Sequence, residues 1–413
     1  MIGIIILMMQ FFDSYCAELF GKLQSFLLTD FLILKENMSV NAAVSYMGYA
    51  TLPFYVIPML APLARTLVDR IGIKQMFIGN TIVLVSGCII CSLSDTLLMY
   101  LIGNGIVIFA STMDIQYIYI AEIIPENRRA TMRGICGGVA AVAAMLIPIC
   151  RTYFADDSRY GWRYMYLIGI VLGVVTFIVS LFMKHVGRSC ADKLDSEVGI
   201  DRENYSENAS RKKPILNGEI KYYMLILFVL GIATSGITSY NEPMLSFAVL
   251  DENSISIALM VQPLATLLVN VFSGVLADMA GRRKIIIANL ILTILSVVVF
   301  VSGVNAGVNV IWLGLAWGCM IGSYFCVANL ITLTVMELAK EGTVGKVSAI
   351  STYVNGTGNA IGILLCTVLV KYTGMAAIKL ITTIPVLIIT APMLMYRNSG
   401  SRSSHQTFHG KDV

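Results

Sequence analysis

Apolar runs of about 20 residues follow one another along the chain, parted by short polar or glycine-bearing breaks. At 1.5 Å per residue, a run of that length crosses a hydrocarbon core of about 30 Å, so each reads as a transmembrane helix. The pattern predicts spans at 2–28, 40–66, 75–94, 97–122, 132–153, 162–183, 221–248, 254–277, 284–303, 308–335, 345–370 and 374–396. One long polar stretch, rich in Lys, Arg, Asp, Glu, Asn and Ser, separates six spans from six and predicts a flexible linker. The Ser-rich end after Arg397 predicts disorder. The expected fold is therefore an all-α membrane protein of twelve transmembrane helices. It divides into an N-terminal six-helix bundle (1–184), a linker (185–220), a C-terminal six-helix bundle (221–396) and a tail (397–413).

Composition agrees with a lipid-facing surface. Of 413 residues, 57% are hydrophobic and 13% charged, with a mean hydropathy of +0.79. Soluble chains carry roughly 25% charged residues. Most Lys and Arg fall in alternate loops, at Arg65, Arg70, Lys74, Arg128, Arg129, Arg133, across the linker, and at Arg282, Arg283, Lys284, Lys340 and Lys346. Cationic loops stay in the cytoplasm, so both termini are expected there, in a plasma (inner) membrane. Lys35, Arg151, Arg159, Arg163, Lys371 and Lys379 fall on the outer side by the same reading. The net charge of +4 then reflects topology and contact with anionic lipid, and gives no reason to expect nucleic acid. Met1 opens straight into a span with neither a cationic flank nor a cleavage site, which argues against a cleaved signal peptide and fits a start trimmed of earlier residues. Cys88 and Cys91 form a C-x-x-C inside a span and read as small core residues. The histidines lie in cytoplasmic segments, and no phosphate-binding G-x-x-x-x-G-K-[ST] loop is present. No cofactor, metal or enzymatic chemistry is expected, and active transport would have to draw on a gradient.

The halves repeat. LVDRIGIKQ (67–75) follows span 2 and LADMAGRRK (276–284) follows span 8; each supplies a glycine for the turn (Gly72, Gly281), an acid (Asp69, Asp278) and cations. AEIIPENRRATMRG (121–134) after span 4 matches MELAKEGTVGKVSA (336–349) after span 10, each with a glutamate at its helix end. Spans 5 and 11 carry Gly134-x-x-x-Gly138 and Gly358-x-x-x-Gly362, which predict close helix contact. At these residues the chain resembles the major facilitator superfamily over nearly its whole length. The two loops are similar to that family's signature G-x-L-x-D-R-x-G-R-[RK]. YIAEIIPENRRATMRG, FFDSY (11–15) and GWRYMYLIG (161–169) resemble its sugar porters and related metabolite symporters. The resemblance implies a cavity lined by spans 1, 4, 7 and 10, reached alternately from either side. It also implies a cytoplasmic lock built from Asp69, Arg70, Gly72, Glu122, Arg129 and Arg133 in one half and Asp278, Gly281, Arg282, Arg283 and Glu337 in the other. The chain departs from the family at Arg65, where glycine is usual, and near Ile102, where the span 4 arginine is missing.

Ionisable groups inside a bilayer are costly, by at least about 2.5 kcal/mol on insertion scales, so each is a functional candidate. Asp13 lies mid-span 1 and matches the family's span 1 acid; Glu18 and Lys22 stand one turn apart and predict an ion pair. Asp114 and Gln116 lie in span 4. In span 7, TSYNEP (238–243) predicts a helix broken by Pro243, with Asn241 and Glu242 beside the break. Gln262 and Asn329 are polar groups at depth, and Trp317 offers a ring on which a sugar face stacks. Trp312, and Trp162 with Arg163, read as interfacial anchors. The function expected is secondary transport of a small polar metabolite, of sugar or organic-acid type, as a proton symporter working as a monomer. Proton-coupled drug or metabolite efflux is the alternative, followed by a solute receptor without flux.

Overall fold

The computed structural model describes residues 2–60, 71–113, 115–116, 120, 126–154, 161–183, 218–248, 252–338 and 344–396. Its helices are α1 (Ile2–Lys22), α2 (Gln24–Leu28), α3 (Val40–Val56), α4 (Ile73–Ser92), α5 (Leu97–Ser111), α6 (Glu126–Phe154) and α7 (Trp162–Leu181) in the first half. In the second half they are α8 (Gly218–Thr238), α9 (Asn241–Ser246), α10 (Glu252–Ala280), α11 (Arg282–Ala306), α12 (Val310–Glu337) and α13 (Val344–Tyr396). Among the described residues, nine stretches are long and apolar enough to cross a membrane. The last of them holds two spans, because Gly374 (φ 79°, ψ 166°) interrupts α13. The shorter α5 is also apolar, and α3 runs on through a 3₁₀ turn at Ile57–Leu60. The twelve-span, all-helical architecture read from the hydropathy pattern is thus the observed one. The expected linker and tail lie outside the described residues.

Each half has its own core. One is built around Phe12, Phe77, Leu84, Tyr100, Ile147 and Tyr166, the other around Leu230, Leu290, Phe300, Met320 and Val327. Ile363, Cys366 and Val370 of α13 join the first core, because α13 lies along α3. Ser45 donates to the Thr367 carbonyl at 2.9 Å there, and a Cβ on Gly48 would collide with the Thr367 side chain.

Small residues set the helix contacts, since lipid supplies no hydrophobic force between helices. A Cβ on Gly358 would strike the Phe228 carbonyl and one on Gly362 the Ile232 carbonyl, so the expected stripe does bring α13 onto α8. Of the matching stripe in the first half, the surroundings of Gly134 lie outside what is described, and Gly138 differs from its counterpart. A Cβ on Gly138 would meet nothing within 4 Å, so that part of α6 borders open space and is not packed as expected. A stripe passed over in the sequence, Gly314, Gly318 and Gly322 of α12, rests on the α10 backbone at Ala258, Gln262 and Thr266.

The two signature loops end alike. Gly72 (φ 92°, ψ 146°) and Gly281 (φ 91°, ψ 134°) precede α4 and α11 in nearly the same conformation, one that side chains rarely adopt. This equivalence supports the repeat independently of residue identity.

Trp312 is exposed, as an interfacial anchor should be. Trp162 is not: it is buried against Phe31, Tyr100 and Tyr166 and donates to Asp30 Oδ2 at 3.3 Å. Arg163 beside it pairs with Asp30 at 3.5 Å. The aromatic body and the N–H of Trp162 are both satisfied inside the bundle, which removes the reason to seek an interface. Cys88 and Cys91 are buried, as expected of core residues, and the described cysteines are free.

Candidate functional site

Spans 1 and 7, the first of each half, are both broken. Span 1 was expected as one helix over 2–28; instead it bends at Leu23 (φ −115°, ψ 8°) between α1 and α2. A bend of this kind frees the Lys22 carbonyl and the Ser25 N–H from their helical partners. Arg151 Nη1, from α6, donates to the Lys22 carbonyl at 2.6 Å. The Ser25 N–H donates to Glu242 Oε2 at 2.7 Å, and its hydroxyl donates to Glu242 Oε1.

In span 7 the helix stops at Thr238, Tyr240 takes a left-handed conformation (φ 63°, ψ 9°), and α9 begins at Asn241. Pro243 has no N–H to return to the Ser239 carbonyl, so the expected break is present, three residues before the proline. Lys379, from the second half of α13, fills the gap. Its ammonium donates to the carbonyls of Gly236 (2.9 Å), Ser239 (2.9 Å) and Ile237 (3.4 Å) and to Asn241 Oδ1. Asn241 Nδ2 donates to the Ile237 and Thr238 carbonyls at 2.8 and 3.2 Å. Every carbonyl freed by the break is thereby taken. Lys379, read from sequence as an outer-side cation, is 1% exposed inside its own bundle.

Between the broken helices lies a buried junction, at the end of the bundle where α1 finishes. Arg151 and Glu242, 0% and 1% exposed, form an ion pair at 2.7 Å across the two halves. The Arg151 guanidinium also stacks 4.5 Å from the Phe26 ring, and Ser246 donates to Glu242 Oε1 at 3.0 Å. Next to this pair, Lys22 is 2% exposed and donates to Gln262 Oε1 of α10 at 2.6 Å. Gln262 Nε2 passes to Thr266 Oγ1 (3.1 Å), which in turn donates to the Gly318 carbonyl (3.1 Å). The Lys22 ammonium stands 5.2 Å from the centre of the Trp317 ring, whose buried N–H has no hydrogen-bond partner among the described residues. The expected Glu18–Lys22 bridge is not what Lys22 forms: its hydrogen bond goes across to the other half, and Glu18 is exposed one turn earlier.

A second polar group sits deeper in the first half. Gln116 Nε2 donates to Asp13 Oδ2 at 3.1 Å and to Gln10 Oε1 at 3.2 Å, and Gln10 Nε2 donates to Ser14 at 2.8 Å. Asp13 and Gln116, two of the predicted residues, therefore meet. Asn329 is exposed on α12, apart from these contacts. Asp69, Arg70, Asp114 and Glu122 lie outside the described residues, as do the side chains of Arg129, Arg133, Asp278 and Glu337. Arg282 and Arg283 begin α11 directly after Gly281. Sequence reasoning missed Arg151 and Ser25. Arg151 ends an apolar span, the usual place of a topological anchor, and nothing in its neighbours announces a partner in the other half.

Residues 5–362 match the family model described as the Major Facilitator Superfamily. The MFS-type transporter TOXA of Cochliobolus carbonum is 29% identical over 152 residues, 35% of this chain and 26% of that protein. The proton myo-inositol cotransporter hmit-1.2 of Caenorhabditis elegans is 26% identical over 125 residues, 29% of this chain and 20% of that one. The chain thus matches only a minor part of the length of these curated relatives. Among solved structures, a D-xylose-proton symporter superposes with a TM-score of 0.73 at 12% identity, covering 93% of this chain and 96% of that one. A POT family transporter in complex with 5-aminolevulinic acid gives 0.70 at 15% identity, covering 96% of each.

Proposed function

From the chain's membership of the Major Facilitator Superfamily, we propose that it is a proton-coupled symporter that carries a small polar metabolite, of sugar or organic-acid type, by alternating access. The observation that carries this reading is the buried Arg151–Glu242 pair joining the two halves. Glu18 is exposed one turn below Lys22, and a Cβ on Gly21, Gly137 or Gly138 would meet nothing within 4 Å. A buried charge pair that joins the halves at one end is a contact that rocking of two repeats would make and break. The halves are the bundles 1–184 and 221–396. With both termini cytoplasmic, the end joined by this pair faces outward, and the solute path opens to the cytoplasm in this state.

In the opposite state the outer pair separates, and the cytoplasmic ends close through Asp69, Arg70, Glu122, Arg129 and Arg133 against Asp278, Arg282, Arg283 and Glu337. Asp13, held by Gln116, and Glu18 are the acids placed to carry the proton, with Asp114 as a third. The carrier acts as a monomer in the plasma membrane. Reconstitution into proteoliposomes under an imposed inward proton gradient tests the reading. Metabolite accumulation that a protonophore abolishes is expected. Extrusion of dyes from cells without uptake of any metabolite would replace symport with efflux. Accumulation retained by Asp13→Asn would remove Asp13 as an obligatory carrier and leave Glu18 and Asp114.

A further inference from the structure

Resting on that transport reading, we propose that the solute bears a carboxylate, that Lys22 is its binding cation, and that the accompanying proton resides on Glu18, so that anion and proton cross as a neutral pair.

The charges at the junction carry this inference. The first half contributes Lys22 and Arg151, the second Glu242, and among the described residues α10 and α12 add the neutral Gln262, Thr266 and Trp317 around Lys22. Glu242 is fully engaged: Arg151 and the Ser25 and Ser246 hydroxyls address Oε1, while the Ser25 N–H addresses Oε2. Lys22 is not. An ammonium has three donors, and among the described residues this one makes a single hydrogen bond, to a neutral amide. A buried ammonium with donors left over is unfavourable, and its neighbour repeats the deficit: the Trp317 N–H is buried and without a hydrogen-bond partner among the described residues beside the same group. Two adjacent donors short of acceptors form a receptor for an anionic oxygen. A sugar hydroxyl would satisfy the hydrogen bonds but would bring no charge to replace that of Glu18 once Glu18 is protonated.

Glu18 supplies the linkage. It is the acid nearest Lys22 on α1, one turn before it, and it is exposed while Lys22 is buried. An ionised Glu18 provides the counter-charge to Lys22 in the empty carrier. Protonation of Glu18 withdraws that charge, and the solute carboxylate takes its place. Open space beside Gly21 leaves room for a ligand at that level. Binding of the anion therefore favours the proton, and the proton favours the anion, by linkage.

The test pairs each acid with a neutral twin: gluconate with glucose, lactate with lactamide, succinate with succinamide, across a panel of short carboxylates. Thermal stabilisation of the purified wild-type protein and uptake into proteoliposomes are measured for both members. The expected result is that a carboxylate stabilises the protein and accumulates down a proton gradient, while its twin does neither. Lys22→Gln should then raise the half-saturating concentration at least tenfold, with Lys22→Arg retaining tighter binding. Glu18→Gln should keep carboxylate binding and exchange but lose accumulation driven by the pH gradient. Transport of a neutral sugar that its acid does not inhibit would overturn the inference and leave the transport reading standing. Neither uptake nor stabilisation by any member of the panel would overturn both. The wild-type comparison decides the matter even if Lys22→Gln fails to fold.

Discussion

Spans 1 and 7 open their respective halves, and each is broken near the same junction, yet the two breaks are held shut from different sides. Span 7 is closed from within: Lys379, on the same half, occupies the carbonyls that Tyr240 and Pro243 release. Span 1 is closed partly from without: the Ser25 N–H rests on Glu242, which belongs to the opposite half. Any motion that parts the halves strips the break in span 1 of its partner and leaves the carbonyls at the break in span 7 paired. The break in span 7 is thus permanent architecture, while that in span 1 reports on the state of the carrier.

Substitutions can break this contrast. Glu242→Ala should act most strongly, because it strands Arg151 and the Ser25 N–H. Removing one partner of a buried pair costs about 3–5 kcal/mol. The expected outcome is loss of uptake, and labelling at least tenfold faster by an impermeant maleimide of a cysteine placed at Ser246. A charge exchange, Arg151→Glu with Glu242→Arg, should recover part of the slow labelling; no recovery would mean that the ion pair does not hold the closure.

Lys379→Met should lower the thermal midpoint substantially, since each buried carbonyl left without a donor costs about 1–3 kcal/mol. The rate of maleimide labelling should stay close to that of the wild type. A large rise in labelling would contradict the claim that span 7 is sealed within its own half. Gly358→Leu forces side-chain atoms into the Phe228 carbonyl and should reduce stability by about 1–3 kcal/mol, the usual range for overpacking. Gly138→Leu, facing open space, should leave the thermal midpoint unchanged, and the pair of melting curves checks the asymmetry of the two stripes. The smallest effect is expected for Trp317→Phe, which keeps the ring and removes one N–H. A loss of about 1 kcal/mol corresponds to a several-fold rise in half-saturation, with stability and labelling as in the wild type.

The architecture was legible because it rests on one-dimensional signals. Length and apolarity of the runs determine the spans, and Gly72 and Gly281 mark loops whose conformations prove nearly identical. Pro243 announced a break, and it directed attention to Asn241 and Glu242. What stayed hidden depends on packing. Arg151 and Lys379 look like the cations that end any span, and only the fold shows one turned across to Glu242 and the other inward onto carbonyls. Lys22 was assigned to Glu18 by helical spacing, but a residue of α10, far along the chain, lies closer to its ammonium. Gly134 and Gly138 follow the same sequence rule as Gly358 and Gly362, yet a Cβ on Gly138 meets nothing within 4 Å while those on Gly358 and Gly362 strike α8.

The position of the Arg151–Glu242 pair has an electrical consequence. Opposite charges carried by two bodies that move apart within the bilayer form a dipole that grows as the outer end opens. A full elementary charge crossing the membrane field is worth about 2.3 kcal/mol per 100 mV, so even a fractional displacement along the membrane normal couples opening to the resting potential. The carrier would then show transient capacitive currents even when the net solute flux is electroneutral, and Glu242→Gln would diminish them.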